Sequence, residues 1–559
     1  MTYERPTWPA EFADRYRREG LWRGETLDGL LRTWAARYAG RTALVHGDRR
    51  FTYEELDRRA DRTAAGFRRH GIEPGDRVVL QLPNVAEFAV VFFGLLRAGA
   101  RPVFSLASHR ANEIRHLCEL SGAAGYVIPG QHRGFDHTAL ALRMVEELPT
   151  LRRVFTLDGE VPEGAEGTVV PLAAVDAEPL AEPVANDPSD TAFFLLSGGT
   201  TALPKLIPRT HDDYAYQTRT AAEVNGLTGD DVYLAALPVE FNFTWGCPGV
   251  LGTLQAGGTA VLAEDPTADD CFALIAAERV TFTSLVPSVA QMWLEAAEWL
   301  EPDLATLRTV QIGGARLQPE LARRIEPAFG ARLQQVFGMA EGLLSVTRAD
   351  DAPETVWTTQ GTPLSPADEI RIVDEHGNDV PPGGTGELLT RGPYTLRGYY
   401  RADEHNARAF TADGFYRSGD LARITEDGRL VIEGRIKDVV IRGGDKVSAG
   451  EVEEHLLALP NVARAAVVAA PDEYLGERVH AWIVPAGEAP KLRDVKAALS
   501  ASGLADYKLP DRVEAVADFP LTGLGKVDKK VLAAAAADPS APRPWNVAPE
   551  TVASETVAS

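Results

Sequence analysis

Apolar runs of strand length alternate with amphipathic segments of helix length through the first two thirds of the chain. The run RVVLQL (77–82) predicts a strand, and VAEFAVVFFGLLR after it predicts a helix that Asn84 and Glu87 cap and that Gly99 ends. The same alternation returns in GTAVLAE, DDCFALIAAE and VTFTSLVPSVAQMWLEAAEWL. Alternating strands and helices predict doubly wound parallel sheets that are covered by helices on both faces.

The pattern changes near Asp351 and again past Arg435. Short β-like pieces such as EIRIVD, TGELLTRG and GRLVIEG, separated by glycine, proline and DG turns, predict a small barrel-like unit. Beyond Arg435, the segments VEEHLLAL, ARAAVVAAPD and ERVHAWIVP predict a compact α+β domain. We therefore predict an α/β fold with a core domain over 1–436, a small α+β domain over 437–536 and a disordered tail over 537–559.

Composition and charge narrow the class of protein. The 559 residues are 45% hydrophobic and 25% charged, which is typical of a globular protein with two to four structural units. A net charge of -23 argues against nucleic acid or an anionic membrane as the main partner, because the long-range field repels both. Three widely spaced cysteines indicate neither a disulfide framework nor a zinc site, and no secretory or membrane-spanning segment is predicted. We expect a cytoplasmic protein.

The segment FFLLSGGTTALPKLIPRTH (193–211) breaks an apolar run into a loop that suits an anion. Its glycines allow backbone N–H groups to converge, its hydroxyls add donors and its lysine adds charge. The P-loop pattern GxxxxGK[ST] is not met, since Ala202, Leu203 and Pro204 replace the second glycine and Leu206 follows the lysine. The residues alone leave open a phosphate-binding loop or a plain strand-to-helix turn. The candidate residues are Ser197, Gly198, Gly199, Thr200, Thr201 and Lys205.

Four further segments accompany this loop. They are QQVFGMAEG (334–342), FYRSGD (415–420), EGRIKDVVIRGGDKVSAGEVE (433–453) and LTGLGKVDKK (521–530). In order and spacing, the five segments resemble the adenylate-forming superfamily of acyl-CoA synthetases, peptide-synthetase adenylation domains and luciferases. The resemblance implies an enzyme that uses ATP and Mg²⁺, with the glycine-rich loop holding the β- and γ-phosphates.

The resemblance implies a role for each matching residue. It implies that Lys526 is the catalytic lysine, which lies between the attacking carboxylate and the α-phosphate, and that Glu341 is the Mg²⁺ ligand. Asp420 accepts hydrogen bonds from the ribose hydroxyls, and Arg435 is a second ribose or phosphate contact. Lys437 is the hinge about which a mobile lid domain rotates. The remaining nucleotide contacts are Gly314, Ala315, Val336 and Phe337.

The stretch LPVEFNFTWGCPGVLG (237–252) looks most like the branch that activates salicylate or 2,3-dihydroxybenzoate for siderophore-type nonribosomal assembly lines. The resemblance places Asn242 against the 2-hydroxyl of the ring. Cys247 and Leu344 align with positions where dihydroxybenzoate enzymes carry serine and valine. A thiol is a poor hydrogen-bond partner and leucine needs more room, so salicylate is the predicted substrate. The predicted acid pocket consists of Phe241, Asn242, Phe243, Cys247, Gly314 and Leu344.

The expected acceptor of the activated acid is the phosphopantetheine thiol of an aryl carrier protein that acts in trans. Three alternative activities remain open: a 2,3-dihydroxybenzoate–AMP ligase, an aryl-CoA ligase and a luciferase-like oxidoreductase. A binding protein without catalytic activity is a further alternative, which the presence of Glu341, Asp420 and Lys526 disfavours. Neither nucleic acid nor a membrane is expected as a partner.

Overall fold

The computed structural model describes residues 7–157, 161–197, 203–442, 445–472, 474–502, 504, 506–522, 526–538, 540 and 542–546. The chain packs as two compact units. The larger unit contains the residues up to 371, together with 389–418 and 425–430, and the smaller contains 372–388, 419–424 and the residues from 431 onward. The domain boundary that the sequence predicts after residue 436 stays a prediction.

Two large sheets, one two-stranded sheet and fourteen α-helices lie in the described part of the larger unit. Its strands are β1 Thr42–His46, β2 Arg49–Thr52, β3 Arg77–Leu80, β4 Arg101–Phe104, β5 Gly125–Ile128, β6 Gln131–His132, β7 Phe135–Asp136, β8 Arg153–Thr156, β9 Val169–Pro171, β10 Thr191–Leu196, β11 Leu206–Thr210, β12 Val232–Ala235, β13 Thr259–Leu262, β14 Phe282–Leu285, β15 Thr309–Gly313, β16 Arg332–Gly338, β17 Leu344–Val346 and β18 Thr362–Pro363, of which β6 and β7 form only a small hairpin. Its helices are α1 Ala10–Arg18, α2 Leu27–Tyr38, α3 Tyr53–Arg69, α4 Ala86–Arg97, α5 Ala111–Ser121, α6 His137–Glu147, α7 His211–Val224, α8 Asn242–Gly246, α9 Gly249–Ala256, α10 Ala268–Glu278, α11 Pro287–Leu300, α12 Pro319–Phe329, α13 Pro353–Thr358 and α14 Asp403–Ala409.

Both sheets are parallel in their centres, as the sequence predicts. The nine-stranded sheet has the order β18-β17-β16-β15-β14-β12-β13-β1-β2, and the seven-stranded sheet has the order β11-β10-β4-β3-β5-β8-β9. Antiparallel pairs occur only toward the sheet edges, at β1–β2, β16–β17, β17–β18 and β10–β11, among the strands whose pairing is described. The central strands are buried because helices cover both faces of the sheets, as in β14, where every residue is buried, including the polar Thr283 and Ser284.

The predicted cap of helix α4 is wrong, although the helix itself and its end before Gly99 are correct. The residue before α4 is Val85, and it makes no side-chain capping bond. The Asn84 amide instead donates to the carbonyls of Ala235, Leu237 and Ala263 at 2.9–3.0 Å, and its oxygen accepts from the Val239 amide at 2.8 Å. A buried amide gains more from these partners at the strand ends than from a single capping bond.

A third sheet, with the order β19-β20-β21-β22, follows the two large sheets along the chain. Its strands are β19 Glu369–Val373, β20 Gly386–Arg391, β21 Tyr416–Ile424 and β22 Leu430–Arg435. The sheet corresponds to the short β-like pieces from which the sequence predicts a barrel-like unit.

The smaller unit also contains the α+β fold that the sequence predicts. Its five-stranded sheet has the order β24-β23-β26-β25, with β27 pairing β26. The elements are β23 Val439–Arg442, β24 Asp445–Ser448, α15 Ala449–Leu457, β25 Val462–Asp472, β26 Gly476–Pro485, α16 Leu492–Ala501, β27 Arg512–Ala515 and α17 Lys529–Ala537.

Part of the predicted tail packs against this unit. The Trp545 ring lies edge-on to Trp482 at 5.9 Å, and Arg543 lies over the Trp482 ring. The Asn546 side chain accepts a hydrogen bond from the Ala517 amide at 2.7 Å. An aromatic contact and a cation–π contact fix residues 543–546, which a compositional prediction of disorder does not foresee. Residues 547–559 lie outside the described range.

Candidate active site

The carboxyl ends of β15 and β16 approach each other closely at Gly313. A Cβ atom there would lie 2.6 Å from the Val336 carbonyl oxygen and 3.1 Å from Phe243 Cζ, so only glycine fits. Gly314 follows with φ +80°, and Ala315 is exposed beside it. In parallel sheets, ligands bind outside the carboxyl ends of the strands. The fold therefore brings four predicted contact residues to one edge of the nine-stranded sheet: Phe243, Gly314, Ala315 and Val336.

Residues that the sequence predicts for the acid pocket lie in an apolar cluster at this edge. Cys247, Val336 and Leu344 are buried in one cluster, and Phe243 packs against it. Gly338 pairs with Leu344 across β16 and β17, and a Cβ atom on Gly338 would lie 2.5 Å from Leu344 Cδ2. Burial raises the pKa of the Cys247 thiol, which is therefore neutral at physiological pH.

Asn242 is the buried polar side chain next to this cluster, at the first position of α8. Its Oδ1 accepts hydrogen bonds from Tyr214 Oη at 2.8 Å and from Gln217 Nε2 at 3.1 Å. Its Nδ2 lies 3.4 Å from the Met339 carbonyl, which belongs to the turn between β16 and β17. Phe241, the N-cap residue of α8, is half-buried and makes no side-chain capping bond.

A buried arginine behind the pocket was not predicted from the sequence. Arg209 is 1% exposed and forms an ion pair with Asp213 at 2.8 Å. It also donates to Gln217 Oε1 at 2.9 Å, to the Ala340 carbonyl at 3.0 Å and to the Tyr394 carbonyl at 3.3 Å. The guanidinium thus ties helix α7 to the loop that carries Glu341.

Glu341 is buried beside two tyrosines. Tyr399 Oη donates to Glu341 Oε1 at 2.7 Å and lies 2.9 Å from Tyr416 Oη. Gly342 adopts φ +112°, and a Cβ atom there would lie 2.4 Å from Thr395 Cα, so glycine is required at this turn. One oriented carboxylate fits Mg²⁺, a hard cation that takes its other ligands from phosphate oxygens and water.

Lys205 lies near the same tyrosine. Its ammonium is 5.6 Å from the centre of the Tyr399 ring. Ser197 pairs with Lys205 through its backbone amide and its hydroxyl, both at 3.0 Å, which closes the base of the glycine-rich loop. The predicted phosphate contacts Gly198, Gly199, Thr200 and Thr201 lie outside the described residues and stay predictions.

The smaller unit brings together three of the predicted residues. Asp420 is 2% exposed and its Oδ1 lies 2.8 Å from Arg435 Nε. Lys526 interacts electrostatically with both residues. Burial, together with the positive charge of Arg435, lowers the pKa of Lys526 to about 8. Burial also lowers the pKa of Lys437, the predicted hinge residue.

Comparison with known proteins decides the class of enzyme that these residues form. Residues 31–400 match the family described as AMP-binding enzyme, and residues 451–526 match the AMP-binding enzyme C-terminal domain. The chain belongs to the AMP-binding enzyme family. The predicted membership of the adenylate-forming superfamily is thereby confirmed.

Three relatives are similar over almost the whole chain. A 2,3-dihydroxybenzoate-AMP ligase of Bacillus subtilis (strain 168) is 53% identical over 525 residues, covering 94% of this chain and 96% of the relative. A protein of Streptomyces sp named salicylyl-CoA synthase / salicylate adenylyltransferase is 50% identical, covering 94% and 96%. The salicyl-AMP ligase / salicyl-S-ArCP synthetase of Mycobacterium tuberculosis is 47% identical, covering 94% and 93%.

Solved structures confirm the fold. The apo structure of MbtA from Mycobacterium smegmatis has a TM-score of 0.74 and 48% identity, covering 94% of this chain and 98% of that one. ATP-bound MatB from Rhodopseudomonas palustris has a TM-score of 0.81 and 26% identity, covering 91% and 99%. The predicted use of ATP agrees with the family and with this structure. None of the described helices of this family member is both long enough and apolar enough to cross a bilayer.

The low pKa of Lys526 predicts how this AMP-binding enzyme responds to pH. Because the pKa of Lys526 is about 8, the fraction of enzyme with a charged ammonium decreases above that pH. The value of kcat/KM for ATP, measured at a saturating concentration of the aryl acid substrate, should therefore fall above pH 8. Bound phosphates favour the charged form, so the corresponding limb of kcat should lie at higher pH. Initial rates between pH 6.5 and 9.5 measure both limbs.

The Lys526→Arg variant is the control for this profile. Its guanidinium stays charged throughout the range, so its residual activity should show no fall near pH 8. A wild-type kcat/KM that is flat up to pH 9.5 would contradict the assignment of Lys526.

Proposed function

We propose that this enzyme activates salicylate with ATP, releases pyrophosphate, and transfers the salicyl group from salicyl-AMP to the phosphopantetheine thiol of an aryl carrier protein. The observation that supports this proposal is the buried cluster at the edge of the nine-stranded sheet. It has a buried amide, Asn242, beside an apolar wall that includes Cys247 and Leu344. An amide suits the 2-hydroxyl of the ring, and the apolar wall suits unsubstituted ring carbons.

The choice between salicylate and 2,3-dihydroxybenzoate depends on that apolar wall. A 3-hydroxyl beside Cys247 and Leu344 would have a neutral thiol as its partner and would be poorly paired, at a cost of roughly 1–3 kcal/mol. An apolar pocket rejects an added hydroxyl only about 10²-fold. We therefore propose salicylate as the preferred acid and 2,3-dihydroxybenzoate as a slower substrate.

The chemical step is an in-line displacement at the α-phosphorus of ATP. A carboxylate oxygen of salicylate forms a bond to that phosphorus, and the bond to the bridging oxygen of pyrophosphate breaks. The Lys526 ammonium would stabilise the negative charge that builds up between the two reactants. Mg²⁺, held by Glu341 when bound, would neutralise charge on the phosphate oxygens. Asp420 and Arg435 would hold the ribose.

The second step exchanges AMP for a thiol. The sulfur attacks the acyl carbon of salicyl-AMP, a thioester forms and AMP leaves with the oxygen that bridged the acyl group and the phosphate. We propose a carrier protein as the acceptor, in keeping with the relative named salicyl-S-ArCP synthetase. Coenzyme A is the second candidate because another relative is named a salicylyl-CoA synthase. Comparing kcat/KM for a purified aryl carrier protein and for coenzyme A distinguishes the two.

Acid-dependent ATP–pyrophosphate exchange tests the proposed substrate. The acids to compare are salicylate, 2,3-dihydroxybenzoate, benzoate and 3-hydroxybenzoate. We expect salicylate to give the highest kcat/KM. A higher value for 2,3-dihydroxybenzoate would overturn the argument from Cys247 and Leu344, and absence of exchange with every acid would overturn the proposed activity.

Exchanging the two wall residues should change the preference. In the Cys247→Ser, Leu344→Val double variant, a hydroxyl replaces the thiol and a methylene is removed, so a 3-hydroxyl gains both a partner and room. We expect the ratio of kcat/KM for 2,3-dihydroxybenzoate to that for salicylate to rise about tenfold or more. The double variant Cys271→Ser, Leu274→Val, at α10, is the matched control and should keep the wild-type ratio. An unchanged ratio in the pocket variant would mean that other residues select the acid.

A further inference from the structure

The orientation of the Asn242 amide follows from a chain of hydrogen bonds that begins at Arg209. A guanidinium has only donors, so the atom of Gln217 that faces Arg209 must be the oxygen, Oε1. Gln217 then presents its NH₂ group to its other neighbours, which are the Gly246 carbonyl at 3.0 Å, Asn242 at 3.1 Å and the Cys247 sulfur at 3.6 Å. The atom of Asn242 that faces Gln217 must therefore be its oxygen.

Because of this series of hydrogen bonds, the NH₂ group of Asn242 faces away from α7. Oδ1 of Asn242 already accepts from Gln217 and from Tyr214. Nδ2 points toward the turn between β16 and β17, where the Met339 carbonyl lies at 3.4 Å and where Leu344 follows in the apolar wall. One N–H can bond Met339, and the described residues provide no second acceptor for this group, which leaves the other N–H for a ligand. Asn242 is thus a hydrogen-bond donor to whatever occupies the pocket.

We propose that Arg209 and Gln217 are positioning residues that fix Asn242 as a donor, so that the enzyme selects aryl acids whose ortho substituent accepts a hydrogen bond. This inference rests on the proposed function, since it assumes an aryl acid in the pocket. In salicylate the phenolic O–H bonds the neighbouring carboxylate, and a lone pair of the same oxygen accepts from Asn242.

An ortho amino group has the opposite polarity. In anthranilate one N–H bonds the carboxylate and the second N–H faces the N–H of Asn242, while the nitrogen lone pair is delocalised into the ring. Two donors then face each other without an acceptor. Benzoate has no group at this position and leaves room for a water molecule.

The wild-type enzyme gives the first test, by ATP–pyrophosphate exchange with three acids. We expect kcat/KM to fall in the order salicylate, benzoate, anthranilate, with anthranilate about 10- to 100-fold below benzoate. An anthranilate value at or above that of benzoate would overturn the inference while leaving aryl acid activation intact. Absence of exchange with all three acids would instead overturn the proposed function.

The Gln217→Glu variant gives the second test, because it reverses the polarity without changing the shape. Its carboxylate presents an oxygen to Arg209 and another to Asn242 and the Gly246 carbonyl. The bond to Gly246 is therefore lost, as it also is in the Gln217→Met variant, and the Asn242 amide turns and presents Oδ1 to the ligand. We expect the salicylate-to-anthranilate ratio of kcat/KM to fall at least 100-fold, with benzoate changed only a few-fold. An equal loss for all three acids would show a purely structural role and would overturn the inference.

The Gln217→Met variant separates polarity from packing. It keeps the volume of the side chain but has neither a strong donor nor an acceptor, so Asn242 loses its orientation. We expect an intermediate ratio, lower than in the wild type but not inverted. A wild-type ratio in this variant would overturn the inference. Thermal melting of each variant confirms folding, and if Gln217→Glu does not fold, Gln217→Met and the wild-type order decide.

Discussion

Replacing Lys526 with alanine should slow aryl-adenylate formation about 10³-fold, the effect expected when a single charged donor at the reacting centre is lost. The described residues place Lys526 with the Asp420–Arg435 pair, and burial lowers its pKa to about 8, so its ammonium is poorly solvated and available to another anion. Single-turnover formation of salicyl-AMP, measured by rapid quench, gives the rate directly.

Two controls make this result specific. The Lys530→Ala variant removes an exposed lysine at the start of α17, four residues after Lys526. Its rate should stay within about twofold of the wild-type rate, as is usual for surface substitutions. Thioester formation from chemically supplied salicyl-AMP should be nearly unchanged in Lys526→Ala, because that step does not involve the α-phosphate displacement. A wild-type rate of adenylation in Lys526→Ala would refute the role of this residue.

Replacing Glu341 with glutamine should lower kcat/KM for ATP about 10²-fold at physiological Mg²⁺, because the neutral amide removes the negative charge that attracts the ion. Part of the loss should be recovered at higher Mg²⁺ concentration. A Mg²⁺ titration of the exchange rate, with the apparent affinity as the result, measures both effects.

The Tyr399→Phe variant is the companion to this experiment. It keeps the ring beside Lys205 but removes the hydroxyl that donates to Glu341 Oε1 at 2.7 Å, so we expect a smaller loss, about 5- to 10-fold. A Glu341→Gln enzyme whose rate and Mg²⁺ requirement equal those of the wild type would contradict the assignment of Glu341 as the metal ligand.

The sequence predicts the sheets well because a parallel strand covered on both faces is a short, nearly continuous apolar run. That pattern predicts β3, β13 and β14 within a few residues. It did not predict β9, Val169–Pro171, which lies in an acidic segment rich in proline and alanine. This strand has three residues and lies at the edge of its sheet beside β8, and a run of that length is too short to show a strand period.

The candidate site was predicted from its motifs, and the residues that orient those motifs were not. Asp213 and Gln217 lie four residues apart in α7, a spacing typical of a solvated helix face, and Arg209 lies before them in β11. The structure buries all three. Their polar groups form hydrogen bonds with one another and with backbone carbonyls of distant segments, such as the carbonyl of Ala340. No local pattern carries that information, because Arg209 lies in a strand and the rule for ion pairs four residues apart holds only within a helix.

The fate of the carboxylate oxygens of the acid distinguishes adenylation from other routes of carboxylate activation. Salicylate labelled with ¹⁸O in both carboxylate oxygens is incubated with ATP, the enzyme and a thiol acceptor, and the AMP is examined by mass spectrometry. Attack of a carboxylate oxygen on the α-phosphorus, followed by acyl transfer to the thiol, predicts one ¹⁸O atom in AMP and none in pyrophosphate. Unlabelled AMP, or label in inorganic phosphate alongside ADP, would contradict adenylation as the reaction of this enzyme.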